Sequence, residues 1–468
     1  MAHATSSPSA FEAGPRTLAL WVVLAAQLML QMDFLIVIVA LPRIQHELGF
    51  TAAGLSWVPN AFALAFGGLL LLGGRLGDLM GQVRAFRYGL GLFIVASLWG
   101  GLAHTSAGLI GARVLQGMGA ALAGPSVLAL VTLMARTEQE RARGLSLFIA
   151  VSSIGASAGL ILGGVLTDFL SWRWSLLINV PLGIAVVAAV GRLVHETQSS
   201  PARLDLGGAA TGTAGSAALV YGFIHAAEQG WGSTVTLLSF VAALALLTIF
   251  LMIERRHPAP VLKLGLLRNR QRAAGLVVMA LIVGMHFSLI FTLVQYLQQV
   301  LGLNPLMAGL AYVPLTAMVF VITHFVPGLM GRFGPRTLLI AGSVLVALSL
   351  VLFARLGADS IYLGGVLVPL IIHATGIALV FAPGTVTIME AVPEADTGAA
   401  SGLLQMDQQI GGALGIAIVA SIHAMSATPG NFVSGLSAAF ITGSVIAALA
   451  GVVAATLPRR AGEAGARS

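Results

Sequence analysis

Gly74-Arg75-Leu76-Gly77-Asp78-Leu79-Met80-Gly81-Gln82-Val83-Arg84 joins two long apolar runs, one opening near Leu55 and the next near Phe86. Helices linked this tightly need glycine, both for close backbone approach and for a residue at φ > 0. Asp78 can cap a helix start or pair with an arginine of a neighbouring bundle, whereas an ordinary charged turn would require neither residue type. The stretch reads as a reversal between two membrane-length helices.

The flanking composition agrees with that reading. The 468 residues are 57% hydrophobic and 9% charged, with a mean hydropathy of +0.96, outside the range of soluble globular domains. Apolar stretches of about 20 residues recur along the whole length, each long enough to cross a ~30 Å hydrocarbon core as a helix. About fourteen meet this criterion, opening near Leu18, Leu55, Phe86, Gly108, Gly144, Ser175, Leu206, Val235, Ala273, Met307, Thr337, Tyr362, Ala399 and Ser434. The expected class is an all-α membrane protein.

Charge sets the expected orientation. All basic residues other than Arg43, Arg113, Arg173 and Arg355 fall on one side of this arrangement, which the positive-inside rule makes the cytoplasm, with both termini there. The asymmetry requires an even number of spans, including the pair near Leu206 and Val235. The pI of about 10.7 comes from this basic rim, so it points to anionic lipid and away from nucleic acid. Cysteine is absent, which excludes disulfides, thiol nucleophiles and cysteine metal sites. Lys263, the single lysine, is not in a phosphate-loop context, and no metal motif or sizeable soluble domain is present, so neither an enzyme nor a cofactor is expected. The arginine excess is that of a GC-rich bacterial genome, which makes a bacterial inner membrane the expected location. The first apolar run is too long for a cleaved signal and is expected to stay as a helix.

The spans divide in a pattern of about six, two and six. We expect a disordered tail at 1–15, an amino-terminal six-helix bundle at 16–200 and a two-helix insert at 201–256. A basic interfacial linker follows at 257–272, then a carboxy-terminal six-helix bundle at 273–458 and a tail at 459–468. In the linker Leu262, Leu264 and Leu266 alternate with Lys263 and Arg268, as in an amphipathic surface element. Leu79-Met80-Gly81-Gln82-Val83-Arg84 resembles Leu329-Met330-Gly331-Arg332-Phe333-Gly334, the trace of a repeat that a rocking two-bundle transporter would carry, with its site between the halves.

Asp33 stands alone in the apolar run from Leu18 to Leu41. A carboxylate in hydrocarbon costs several kcal/mol unless it is paired, solvated or protonated, so such residues mark substrate or proton paths. At ~1.5 Å per residue Asp33 lies about 12 Å below the outer end of its run, and Arg113 about 8 Å below the outer end of its own. The long arginine side chain covers the difference; alternatively, it snorkels to the surface. Asp407, about 12 Å inside its helix, is either a second protonation site or cation ligand, or a carboxylate bonded to a neighbouring helix. His286 and His373 lie near midplane, where imidazole relays protons or is satisfied within the bundle. Met29, Met32, Phe34 and Met406 either line a greasy cavity or simply pack. Gly155, Gly159, Gly163 and Gly164 form a smooth face on the fifth span.

The loop Gly74, Arg75, Gly77, Asp78, Gly81, Arg84 resembles the signature loop of the major facilitator superfamily, which latches the two bundles on the cytoplasmic side. Leu109-Ile110-Gly111-Ala112-Arg113-Val114-Leu115-Gln116-Gly117-Met118-Gly119 resembles the family's fourth-helix motif, whose arginine serves proton coupling. Ser171-Trp172-Arg173-Trp174-Ser175-Leu176-Leu177-Ile178-Asn179-Val180-Pro181-Leu182-Gly183 is similar to the fourteen-span drug/proton antiporters of the EmrB/QacA type. Gln82 replaces the loop's second arginine, Leu160 the proline of the antiporter motif, and Gln408 an arginine of the thirteenth span. Leu35 and Ile38 make the first helix more apolar than the family pattern. The resemblance implies a major facilitator fold and a monomer that exchanges a small hydrophobic or cationic compound for protons among membrane lipids. Asp33 and Arg113 would couple the proton. The rival on the same fold, uptake of a small metabolite, calls for a more polar lining.

Overall fold

The computed structural model describes residues 15–135, 137–194, 204–258, 260, 262–392, 397–428 and 431–458. The expectations for the tails at 1–14 and 459–468, and for 195–203 of the polar stretch between bundle and insert, lie outside these residues.

Helices carry nearly everything described. They are α1 (Pro15–Leu48), α2 (Trp57–Met80), α3 (Gln82–Gly101), α4 (Ser106–Leu133), α5 (Glu138–Phe169), the short α6 (Trp174–Leu177) and α7 (Asn179–Leu193). The insert is α8 (Leu206–Gln229) and α9 (Thr234–Arg256), and the linker contains a single short helix, α10 (Leu264–Leu267). The second half comprises α11 (Arg270–Gln299), the short α12 (Pro305–Leu310), α13 (Val313–Phe353), α14 (Val368–Met389), α15 (Thr397–Ser426) and α16 (Val433–Ala455). Among the described residues, 11 helical segments are long and apolar enough to cross a membrane. Their outer faces are greasy: Leu237, Leu238, Val241 and Leu244 of α9 are all exposed, as a lipid-facing helix requires.

The helices form two groups. In the first, α1 packs on α5 and α7, and α4 on α2 and α3; in the second, α11 packs on α15 and α16, and α13 on α14 and α16. The glycine face of α5 explains the α1 contact. A methyl group at Gly159 would sit 2.7 Å from the Met32 carbonyl oxygen, and one at Gly163 would sit 2.3 Å from that of Ile36, so only glycine permits this approach. Gly164 faces the other way, with the Pro305 carbonyl oxygen of α12 2.6 Å from its would-be methyl. This joins the two groups at the end remote from the Gly74–Arg84 loop. The insert straddles them, because α8 packs against both α2 and α15 and the Ser421 hydroxyl donates to the Phe223 carbonyl at 2.8 Å.

Two details differ from the sequence reading. The first apolar run was expected to end at Leu41, but α1 continues through Pro42 to Leu48. Proline forfeits one backbone bond there, and the packing of Leu41 and Ile44, neither of which is exposed, carries the helix onward. The repeat is also out of register by three residues. Gly81 leaves α2 at φ 93°, and the matching break inside α13 is at Gly334, with φ 73°, not at Gly331. Letter similarity aligned the wrong glycine, because only the residue at the reversal must take a positive φ.

Candidate functional site

Asp33 is wholly buried on α1, and α4 brings Arg113, also wholly buried, against it. Arg113 Nη1 donates to Asp33 Oδ2 at 2.5 Å. The other carboxylate oxygen accepts from Asn179 Nδ2 of α7 at 2.6 Å and from Gln116 Nε2 of α4 at 3.1 Å. Gln116 is fixed in turn: its Oε1 accepts from Arg113 Nη1 at 2.9 Å and its amide donates to Ser97 Oγ of α3 at 2.8 Å. Arg113 Nε donates to the Val58 carbonyl of α2 at 3.1 Å, and the guanidinium lies 4.5 Å from the centre of the Phe62 ring. Five helices therefore converge on one carboxylate. Three donors on two oxygens is the pattern of an ionised acid; on the arginine, Nε and Nη1 are bonded, while the buried Nη2 has no hydrogen-bond partner among the described residues.

The remaining residues fall into separate places. Phe34, beside Asp33, meets Phe62 at 6.0 Å and Phe287 of α11 at 4.9 Å between ring centres, so an aromatic contact spans the two groups next to the ion pair. Met29 is 2% exposed and packs toward α7, with its Cε 3.7 Å from a would-be methyl at Gly183. Met32 presents its backbone to Gly159, and Met406 presents its carbonyl to Gly67 of α2. Gly155 rests against Gln31 and Leu28.

In the loop, the Gly81 amide donates to the Gly77 carbonyl at 3.0 Å and Gln82 Nε2 donates to Asp78 Oδ1 at 3.0 Å. A methyl at Gly77 would lie 2.7 Å from Oε1 of Gln82, the movable end of that side chain. Gly74 faces Pro125 of α4, while Arg75 and Arg84 are exposed.

Asp407 lies one turn beyond Leu403 and Leu404, which pack with Leu276 and Met279 of α11. Its buried Oδ2 has no hydrogen-bond partner among the described residues, and the structure does not bring it to Asp33. His286 and His373 do meet, with Nδ1 of the first 3.2 Å from Nε2 of the second. At the end remote from the loop, a cavity of about 550 Å³ opens between Pro42, Arg43, Glu47, Gln298 and Asn304. It ends well short of Asp33, which is nine residues, or about 13 Å, further along α1.

Residues 23–416 match the family described as Major Facilitator Superfamily. The chain belongs to the Major Facilitator Superfamily. It is a multi-pass membrane transporter, and the superfamily accounts for the two-bundle architecture. The chain is 37% identical to the cephamycin export protein CmcT of Amycolatopsis lactamdurans, over 94% of this chain and 92% of that protein. It is 36% identical to the puromycin resistance protein pur8 of Streptomyces alboniger, over 86% and 80%, and 33% identical to the lincomycin resistance protein of Streptomyces lincolnensis, over 87% and 85%. Among solved structures it resembles a peptide transporter POT in complex with sulfate, with TM-score 0.71 and 17% identity over 96% of this chain and 95% of that one. The human organic anion transporter MFSD10 gives TM-score 0.59 at 15% identity, over 94% and 100%; at these identities both show the fold alone.

Sequence reasoning singled out Asp33 and Arg113 but gave no role to Asn179, Gln116 or Ser97. Asn179 offered a signal, as an amide in an otherwise apolar run two residues before Pro181. Ser97 offered none, because a serine in a membrane helix ordinarily satisfies itself on its own backbone, as this one also does on the Phe93 carbonyl at 2.7 Å.

Proposed function

We propose that this transporter exports hydrophobic drug-like compounds from a bacterial cytoplasm in exchange for protons, with Asp33 as the proton carrier and Arg113 as its counter-ion. The observation that carries the reading is the fully enclosed Asp33–Arg113 pair, set beside export and resistance proteins as relatives that cover most of their own length. The apolar boundary around it, with Phe34, Phe62 and Phe287 in contact, suits greasy cargo better than a polar metabolite taken up. The proposed organisation is the fourteen-span one of the EmrB/QacA type, and counting α3, α8 and the two arms of α13 on either side of Gly334 as spans supports it. It has both termini cytoplasmic, and its two six-helix bundles are joined by the α8–α9 insert. The transporter works as a monomer within the lipid.

The mechanism follows from the hydrogen-bond inventory. Ionised Asp33 accepts from Arg113, Asn179 and Gln116 at once; a proton on Oδ1, which already accepts two hydrogen bonds, displaces a donor, and a proton on either oxygen removes the charge that holds Arg113. Released donors repack α1 against α4 and α7, which changes the relative energy of the two bundle arrangements. With no exposure in the present arrangement, the carboxyl exchanges protons only after the bundles part. Alternation is thereby linked to protonation. Asp407, carrying an unpartnered oxygen, is the second carboxyl available to a cationic cargo.

The test is efflux from proteoliposomes under an imposed pH gradient. Asp33→Asn keeps the shape and a hydrogen-bonding group but cannot ionise, so proton-driven efflux should disappear while substrate binding persists. Full proton-driven efflux by this variant would remove Asp33 from coupling. In the same vesicles Asp407→Asn should impair cationic compounds more than neutral ones, and equal loss of both would make it structural.

A further inference from the structure

The carboxy-terminal bundle contains a second polar device that the proton mechanism leaves unused. His286 on α11, about 24 Å from the start of that helix, stacks on His373 of α14 with ring centres 5.4 Å apart and planes at 13°. His373 is wholly buried, and its Nδ1 lies 3.0 Å from the Oγ of Ser349 on α13. Ser349, also wholly buried, has one hydroxyl proton, which it donates to the Val346 carbonyl at 2.7 Å. With its hydrogen committed, Ser349 Oγ is an acceptor, so His373 must carry its proton on Nδ1. His373 Nε2 is left with a lone pair and can only accept, so the 3.2 Å contact is donated by His286 Nδ1–H. A neutral imidazole has one N–H, and His286 Nε2 is therefore a bare acceptor. His286 is the one member of the chain that is partly exposed. Its ring lies 5.6 Å from that of Phe287, which reaches Phe34 of the opposite bundle, so the imidazole lies beside the aromatic contact that spans the two bundles.

We propose that His286 Nε2 is a substrate subsite that accepts a hydrogen bond from an N–H of a lipophilic ammonium compound, with Phe287 and Phe34 against its apolar and cationic parts. His373 and Ser349 are positioning residues that fix the tautomer. The subsite rests on the efflux reading and adds the chemical class of the cargo. An acceptor next to aromatic faces discriminates a protonated amine from its quaternary analogue, because both carry charge and only one carries an N–H.

The experiment uses the full-length protein and two probes, a lipophilic tertiary ammonium and its N-methylated quaternary counterpart. Wild type should bind the tertiary probe about tenfold more tightly, the usual worth of a charge-assisted hydrogen bond. His286→Asn keeps a group at the δ position facing His373 and removes the ε acceptor, so it should erase the preference and leave quaternary binding unchanged. His286→Gln restores an amide near the ε position and should recover part of it. Ser349→Ala should reduce the preference, whereas a merely structural role would weaken both probes alike. Nitrogen-15 spectra of histidine-labelled protein should show His286 protonated at Nδ1. The opposite tautomer, equal binding of the two probes by wild type, or parallel loss of both in His286→Asn would each overturn the proposal. Proton-driven export of a neutral hydrophobic dye is measured alongside: if it persists while the preference is absent, only the subsite fails. If wild type exports nothing, the efflux reading fails with it.

Discussion

Asp33 is held by contacts of unequal worth. A hydrogen bond to a charged group contributes about 1.5–3 kcal/mol, and one between neutral groups about 0.5–1.5 kcal/mol. Asn179 touches the carboxylate directly, whereas Ser97 touches only Gln116. Proton-driven efflux should therefore fall about tenfold in Asn179→Ala and change no more than about twofold in Ser97→Ala. Initial rates in vesicles with matched protein amounts check this, and equal losses would mean the amide acts through packing. Sequence could find the charge and its counter-charge because both are rare in hydrocarbon. It could not find the serine, since neutral hydroxyls are common in membrane helices and reveal a role only through what lies opposite.

Close packing limits the helices in a way that single residues do not show. Along α5, glycine at 163 lets α1 approach until backbone meets backbone, whereas Gly328 in α13 has open space around its would-be methyl. The same Gly→Ala change should thus act with opposite sign at the two positions. Gly163→Ala should lower the thermal stability of the purified protein, with overpacking costs of about 1–3 kcal/mol, and should reduce transport. Gly328→Ala should be neutral or stabilising by up to about 1 kcal/mol, the ordinary helix-propensity gain. Melting curves in one detergent compare the two, and similar losses would mean that the α1–α5 contact is not close-packed. The small-residue pattern on the fifth span was readable in the sequence, but which neighbour it served was not. Gly159 and Gly163 serve α1, while Gly164 serves α12 in the other half; one residue of register, about 100° of helix rotation, separates an intra-bundle contact from a contact between bundles.

Besides the packing of α2 on α15, where Gly402 lies against Leu71, the two halves meet at the end remote from the signature loop. There Gln298 Nε2 donates to the Val39 carbonyl at 2.8 Å, and Gln299 reaches Gln45 at 3.4 Å. Alternating access requires this contact to open. The natural absence of cysteine makes a clean background for Gln45→Cys with Gln299→Cys. Crosslinking the pair should stop efflux, reduction should restore it, and either single variant should transport normally. Undiminished transport by fully crosslinked protein would show that this end does not part during the cycle. The insert adds a further tie, since α8 packs on both α2 and α15.

The sequence alone determined the solvent, the fold class and the identity of the central charges. These follow from the local arithmetic of hydropathy, span length and rare ionisable residues, each readable from a short window of chain. It misjudged where α1 ends, because a proline forfeits its backbone bond visibly while the buried neighbours that compensate are distant in sequence. It also paired Gly81 with Gly331 where the backbone pairs it with Gly334, since letters carry no φ. Tertiary structure alone decided that Asn179, Gln116 and Ser97 join Asp33, and that His286, His373 and Ser349 lie within hydrogen-bonding distance in one row. Those residues are separated by tens of positions, and a hydrogen bond of about 3 Å between them depends on the rotation of several helices at once, which no periodicity within a single helix records.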